Sequence, residues 1–147
     1  MNDGTHTNVR EHDIVGVISR SPWFDGLPDT AHARLAETAR IRSYRKNSYL
    51  YTTGETSSDV YCILSGRVRL LISSAIGQEY ALRDLEPEAW LGEQFLAAEQ
   101  PTILDARIAE DTTVLVIPRA AALAVGEQHP EMYRNCLLYT SPSPRDS

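Results

Sequence analysis

The stretch "DVYCILSGRVRLLIS", residues 59–73, decides the fold class of this chain. It is rich in Val, Ile and Leu, which favour β-strands, and Gly66 interrupts it. After that glycine the residues alternate, with Val68, Leu70 and Ile72 on one side and Arg67, Arg69 and Leu71 on the other. The glycine divides the stretch into two predicted strands. Because successive strand residues point to opposite faces, the second strand has one apolar face and one that largely faces solvent.

Similar short segments surround this stretch from residue 41 to residue 118. They are rich in Val, Ile, Leu and Tyr and read "SYLYT", "GQEYALRDL", "DARIA" and "TTVLVIP". Gly54, Gly66 and Gly77 mark the turns between segments, where a side chain would be unfavourable. About eight short strands with such turns predict an antiparallel barrel or sandwich.

Helices are predicted on both sides of the strands. Ile14, Val17 and Ile18 have helical spacing, and Pro28 suits the first turn of a second helix, on which we place His32 at the surface. Between these helices, "SPWFDGL" presents the apolar anchors Trp23, Phe24 and Leu27. Further helices follow Pro118 and Pro130. The expected fold class is therefore α+β, an antiparallel, jelly-roll-like β-roll flanked by N-terminal and C-terminal helices.

Composition excludes several classes of protein. The formal net charge is −6, and Lys46 is the only lysine, so these residues do not form the basic surface that binds DNA phosphates. No apolar run approaches the roughly 20 residues of a membrane span, and the polar N-terminus does not resemble a secretory signal. We therefore expect a cytoplasmic protein with no membrane partner.

An enzymatic role is disfavoured by where the reactive side chains fall. A metal-binding cupin, the rival β-roll class, carries clustered histidines on its strands. The four histidines here lie outside the predicted strands, at His6, His12, His32 and His129. Cys62 lies in an apolar run, where a buried thiol is expected, and two cysteines cannot by themselves build a metal cage. We expect no catalytic residues and no metal site.

The order of the motifs resembles the cyclic-nucleotide-binding domain of the Crp/Fnr regulator superfamily, from Trp23 to Asn135. The resemblance rests on "WFDGLP", "YLYTTGE", "VYCILSGRVRLL", "LGEQFL" and "TTVLVIPRAAA", in this order and spacing. It implies a domain that senses a small effector inside the roll. It also implies a longer protein, with a dimer-forming helix and a DNA-reading helix-turn-helix after Asn135. One departure is Asn47, which stands where the family usually has a glycine after a lysine.

The second departure lies in the segment that holds the nucleotide phosphate. Members that bind cyclic AMP carry a Gly-Glu pair and, about ten residues later, an Arg followed by Ser or Thr. Gly92 and Glu93 match the pair, but Thr102 and Ile103 stand at the later positions. Arg107 lies an odd number of residues from Thr102 and would point to the opposite face of an extended strand.

The ligand site predicted on this basis comprises residues of this phosphate-holding segment and apolar residues near it. They are Leu82, Leu91, Gly92, Glu93, Phe95, Thr102 and Ile103. Gly92 would let the backbone approach a ligand, and Glu93 would accept a hydrogen bond from a ribose hydroxyl. The other reading of "GEQFL" is a tight turn whose Phe95 and Leu96 fill the core. The cofactor expectation is none. We expect no tight binding of cyclic AMP, because Thr102 stands at the position of the arginine, and the identity of the effector, a cyclic nucleotide or another small molecule, stays open.

Three segments organise the chain. Residues 1–22 form an N-terminal extension with a short helix, 23–135 form the roll domain, and 136–147 form a tail that we expect to be non-native. Residues 136–146 read codon by codon like a translated transposase-type sequencing adapter, with Asn135 supplying the base before it. The predicted function is the effector-sensing domain of a Crp/Fnr-like transcription regulator, homodimeric at full length, binding DNA only through its C-terminal part. The alternatives are a regulatory module of a channel, kinase or transporter, and a cupin-like enzyme.

Overall fold

A computed structural model describes residues 14–55, 59–92 and 102–138, and it confirms the α+β class. Residues 14–20 are helical (α1), and a 3-10 turn, Pro22–Phe24, follows. The remaining helices are α2 (Asp29–Thr38), α3 (Arg119–Gln128) and α4 (Glu131–Leu138). The strands are β1 (Arg40–Tyr44), β2 (Tyr49–Tyr51), β3 (Val60–Ser73), β4 (Glu79–Leu85), β5 (Trp90–Leu91) and β6 (Asp105–Ile117).

Two long antiparallel strands, β3 and β6, organise the roll. They pair from Val60↔Ile117 to Leu71↔Asp105, with register shifts between Ile63 and Val68. Each long strand changes its other neighbour along its length. β3 pairs first with β5 and then with β4, and β6 pairs first with β2 and then with β1. The two halves of each strand therefore belong to different sections of one folded-over sheet.

Gly66 lies inside β3 and not in a turn, which corrects the sequence expectation. Segments predicted as separate strands on either side of it are continuous, and so are the two segments that make β6. Gly66 has φ of +97°, and a Cβ there would meet the Thr112 hydroxyl and lie 2.5 Å from the Asp111 carbonyl oxygen. The glycine thus permits a register shift at which the two long strands approach closely.

The predicted alternation along β3 holds only as far as Leu70. A register shift against β4 lies between Leu70 and Leu71, and Leu71, which we expected on the solvent-facing side, is buried. Ile72, which we expected on the apolar face, is only partly buried. The extra residue is Leu82 of β4. It changes which residues of the two strands lie opposite each other, and a period of two in one strand cannot reveal it.

Buried side chains form two clusters, one on each side of β3 and β6. The helix-side core lies between the helices and the outer face of these strands, and its members include Trp23, Phe24, Leu35, Cys62, Leu115 and Met132. The roll-interior core fills the inner face, and its members include Tyr51, Tyr61, Ile63, Val68, Leu91 and Val114. Each cluster removes a separate apolar surface from water.

The turn before α2 anchors the helix-side core as predicted. Trp23 and Phe24 are buried, and both rings contact Trp90, with centroid distances of 5.6 and 5.3 Å. His32 was expected at the surface, and this prediction is wrong. The ring is buried, with Nε2 2.8 Å from the carbonyl oxygen of Phe24. That hydrogen bond offsets the cost of burying the polar ring.

The backbone at Asn47 explains why an asparagine can stand where the resemblance to the Crp/Fnr pattern leads one to expect a glycine. Its φ is +76°, in the left-handed region that favours glycine and that Asn tolerates better than most residues. Its N–H donates to the carbonyl of Ile108 at 2.8 Å, and the N–H of Ile108 donates to the carbonyl of Ser48 at 2.7 Å. The asparagine therefore keeps the turn conformation for which the family uses glycine.

Helix α4 contacts the turn before α2 that carries Trp23 and Phe24. Asn135 donates through Nδ2 to the carbonyls of Trp23 and Asp25, at 3.2 and 3.0 Å. The helix runs to Leu138 and buries Cys136, so the first residues of the expected non-native tail are helical. Residues 139–147 lie outside the described part of the chain. Among the described residues, no helix is long and apolar enough to cross a membrane.

Candidate functional site

The Gly92 position is built by the pairing of β5 with β3. Trp90 and Leu91 pair with Cys62 and Tyr61, and Gly92 follows with φ of +103°. A Cβ at Gly92 would lie 2.7 Å from the carbonyl oxygen of Asp59. The close approach that requires this glycine is therefore made by the chain's own backbone, where we had expected a ligand to explain it.

Thr102 occupies the predicted cation position, and its polar groups are engaged within the chain. Its N–H donates to the backbone carbonyl of Glu55 at 3.1 Å, and its carbonyl accepts from the N–H of Gly54 at 2.7 Å. The hydroxyl donates to the Leu104 carbonyl at 3.2 Å and accepts from the Leu104 N–H at 3.0 Å. With 2% of its surface exposed, Thr102 is a buried structural residue in this conformation.

Arg107 does not place a positive charge inside the roll. It lies on β6 between the fully buried Ala106 and Ile108, so its side chain leaves the opposite face of the strand. There its Nη1 donates to Glu79 Oε1 at 3.3 Å. Thr102 itself precedes the strand, which begins at Asp105. The argument that counted residues from Thr102 to Arg107 along one extended strand therefore did not describe the local backbone.

The other arginines near the flap formed by β3 and β4 are paired on its outer face. Arg69 binds Asp84 through two hydrogen bonds, Nε–Oδ1 at 2.7 Å and Nη2–Oδ2 at 2.9 Å. Arg67 lies 3.4 Å from Asp84 and 3.3 Å from Glu110. The hydrogen bond from Arg69 lowers the pKa of Asp84 below its ordinary value, and burial opposes this only in part. These charges pair with one another on the outer face and do not enter the roll-interior core.

Arg83 is the remaining arginine of the flap, and its backbone position lies on the inner face. Its Cα pairs with that of Leu70, whose side chain belongs to the roll-interior core. Cross-strand partners share a face, so Arg83 extends the interior row that runs through Leu70, Ala106 and Tyr51. The arginine itself is exposed at the end of this row.

The structure places the other predicted site residues in different environments. Leu91 is buried in the roll-interior core. Leu82 is 53% exposed, because it is the extra residue at the register shift of β4, and Ile103 is 67% exposed. These two do not line the interior in this conformation. Glu93 and Phe95 lie outside the described residues.

Sequence reasoning missed two polar side chains inside the roll. Tyr51 and Tyr61 are buried in the roll-interior core, and the Tyr61 hydroxyl donates to the Leu50 carbonyl at 3.4 Å. The signal was present in "YLYT" and "VYCILS", where aromatic residues occupy strand positions. Strand periodicity alone does not tell which face of a segment is the inner one.

Known proteins share this architecture. A profile of the cyclic nucleotide-binding domain matches residues 41–129. The Cyclic AMP receptor protein of Thermus thermophilus is 32% identical over 116 residues, which is 78% of this chain and 53% of that protein. The crystal structure of Thermus thermophilus Catabolite Activator Protein aligns with a TM-score of 0.68 at 29% identity, covering 80% of this chain and 55% of that chain. The regulatory subunit of a cAMP-independent protein kinase A from Trypanosoma brucei aligns with a TM-score of 0.75 at 18% identity, covering 92% and 48%.

The chain therefore belongs to the cyclic nucleotide-binding domain family. The resemblance to Crp/Fnr-type regulators, drawn from the motifs, is confirmed. The chain spans about half the length of the curated relative it matches. The kinase subunit is related at the level of the fold.

Proposed function

We propose that this chain is the effector-sensing regulatory domain of a Crp/Fnr-like transcription regulator, acting in the cytoplasm without catalysis. Its likeness to a bacterial cyclic AMP receptor protein over 78% of its length supports this role. In this proposal, the part of the relative not matched here corresponds to the dimer-forming and DNA-reading parts. Effector binding in the roll would shift a dimer between two arrangements, only one of which reads DNA well.

The proposal about cyclic nucleotides rests on Thr102. A cyclic phosphate brings a full negative charge into a half-closed roll, and an unpaired buried charge costs about 3–5 kcal/mol. The Thr102 hydroxyl cannot replace a guanidinium, and both of its hydrogen bonds are made with Leu104. We therefore propose that cyclic AMP and cyclic GMP bind weakly. Their affinity would be lower by a few powers of ten than at a site that has the arginine.

Calorimetric titration of cyclic AMP into the wild-type chain and a Thr102→Arg variant tests this proposal. We expect wild-type affinity no tighter than roughly micromolar and a gain of at least about tenfold in the variant, because a charge-assisted hydrogen bond contributes about 1.5–3 kcal/mol. Ile103→Arg is the matched control, since its exposed neighbouring position should give no gain. Nanomolar binding by the wild-type chain would contradict the proposal.

A second candidate function is a regulatory module of a kinase. The fold likeness to the Trypanosoma brucei subunit favours it, and that protein is described as cAMP-independent. The discriminating observation is the sequence that follows Asn135 in the gene. A helix-turn-helix there supports the transcription regulator, and a kinase-binding or catalytic segment supports the module.

A further inference from the structure

A cleft lies on the outer side of the sheet, away from the roll interior. Its cavity has a volume of about 550 Å³, between α1 and the outer face of β1, β6 and β3. Ile14 and Val17 of α1 form one wall. The floor has two rows of cross-strand partners, an apolar row of Ile41, Leu115 and Cys62 and a hydroxyl row of Ser43, Thr113 and Ser65. This volume lies within the range of small-molecule sites, roughly 300–1,000 Å³.

A second cavity of about 300 Å³ adjoins the first. The two share Val17, Arg20, Cys62 and Glu88, and the second is closed by Ser21, Pro22 and Trp90. The shared residues lie where the two cavities meet. Two of them, Arg20 and Glu88, bring opposite charges to this junction.

Arg20 and Glu88 are both exposed residues, and a distinctive backbone feature lies beside each of them. The Arg20 guanidinium lies back along α1, with Nη1 3.2 Å from where a Cβ of Gly16 would be, so the glycine makes room for it. Glu88 has φ of +80°, a conformation that L-residues rarely adopt. Its N–H donates to the Ile63 carbonyl at 2.8 Å, which ties the Pro87–Glu88 turn to β3.

Arg20 and Glu88 do not pair with each other. Among the described residues, Arg67, Arg69 and Arg107 all have carboxylate partners, and no ion pair within 4.0 Å joins Arg20 to Glu88. Both charges nevertheless act on the same buried thiol. Burial first, and the Glu88 carboxylate second, raise the pKa of Cys62 to about 12, while Arg20 opposes the shift. The cleft thus holds an anion and a cation apart around a neutral thiol.

We propose that this cleft binds a free α-amino acid with an apolar side chain. Arg20 binds its carboxylate, Glu88 binds its ammonium group, and the apolar wall and floor receive its side chain. A ligand with a single charge would be repelled by one of the two residues, whereas a zwitterion matches both. The site lies on the opposite side of the sheet from the roll-interior core, so it does not depend on the function proposed for the roll.

Calorimetry of the chain with L-leucine and L-phenylalanine, followed by the other common amino acids, tests the site. We expect saturable binding of apolar amino acids at one site per chain. N-acetyl-L-leucine and L-leucinamide each lack one of the two charges and should bind at least about tenfold more weakly. Absence of saturable binding by any of these amino acids, or equal binding of the blocked analogues, would overturn the proposal.

Variants assign the two charges. Arg20→Gln and Glu88→Asn should each weaken leucine binding by about tenfold or more. Asn is chosen because it tolerates the left-handed backbone at residue 88, and Glu88→Gly provides a second variant without strain. The matched controls are Arg42→Gln and Glu86→Gln, exposed residues outside the cleft, which should change affinity by less than about twofold.

Two readouts separate this site from the roll. Thr102→Arg should leave leucine affinity unchanged, whatever its effect on cyclic nucleotide binding. Saturating cyclic AMP should also not displace leucine from that variant. If leucine binding persists in both Arg20→Gln and Glu88→Gly chains, the assignment to this cleft is wrong.

Discussion

The two halves of β3 differ in what covers them. In the first half, Val60–Ile63, every side chain is buried, because the helix-side core takes Val60 and Cys62 while the roll-interior core takes Tyr61 and Ile63. In the second half, only the inner face is covered from Arg67 to Leu70, and Leu71 beyond them is buried again. The outer face there carries Arg67 and Arg69 in surface ion pairs.

This difference shows where the strand stabilises the fold and where it faces solvent. Covering both faces removes the alternation of apolar and polar residues, as in a fully buried strand. Covering one face preserves the alternation and allows charges. We therefore expect substitutions in the first half to cost more than matched substitutions in the second.

The largest expected effect sharpens this contrast directly. Ile63→Ala should lower the free energy of unfolding by about 3–5 kcal/mol, because it opens a cavity where both faces are covered. Ile72→Ala is the matched control in the second half, and its partly buried side chain should cost about 1 kcal/mol. Urea unfolding of both variants measures the difference. Equal losses would break the distinction between the halves.

An intermediate effect is expected at Gly66, where the two halves meet. Gly66→Ala should cost about 2–4 kcal/mol, since it combines a positive φ with a clash against Thr112 and Asp111. Gly77→Ala is the control, because Gly77 also has a positive φ but has open space around its Cα, and it should cost about 1–2 kcal/mol. Thermal unfolding distinguishes them. A smaller loss for Gly66→Ala than for Gly77→Ala would show that the register shift relaxes.

The smallest effect is expected at the ion pair of the second half. Asp84→Asn should lower stability at pH 7 less than either core change, because solvent screens the Arg69 contact. The sign of its pH dependence follows from the lowered pKa of Asp84 in the folded protein. Its contribution is present above the unfolded carboxyl pKa, about 3.9, and is lost as pH falls through the lower folded value.

Unfolding of the wild-type and Asp84→Asn chains between pH 7 and pH 3 measures this dependence. The difference in stability between them should shrink as the solution is acidified. A difference that grows toward low pH would contradict the assigned pair. Glu86→Gln, in the exposed turn after β4, provides a carboxylate control without a described ion pair.

Local sequence signals predicted most of the secondary structure. Pro28 precedes α2, the aromatic anchors Trp23 and Phe24 are buried, and apolar segments became strands. Gly66 was misread because a glycine between apolar runs looks the same in a turn and in a close strand crossing. His32 was misread because its partner, the Phe24 carbonyl, is fixed by the turn before the helix.

The candidate sites depended on sequence to different degrees. Thr102 was identified by its distance from Gly92 and from the strand that follows, within a family pattern. The junction of Arg20 and Glu88 was not found, because these residues lie 68 positions apart in the chain and are brought to the same cavities only by the fold. Spacing along the chain carries no information about which residues line one cavity.

The sequence by itself determined the α+β roll and its family, because local periodicity and motif spacing carry both. It also supplied the prediction that Thr102 stands at the position of a cation. Only the tertiary structure decided which strand faces are covered, where register shifts reverse a side chain, and which charges find partners. These outcomes depend on contacts between distant segments, whose free energies no local pattern contains.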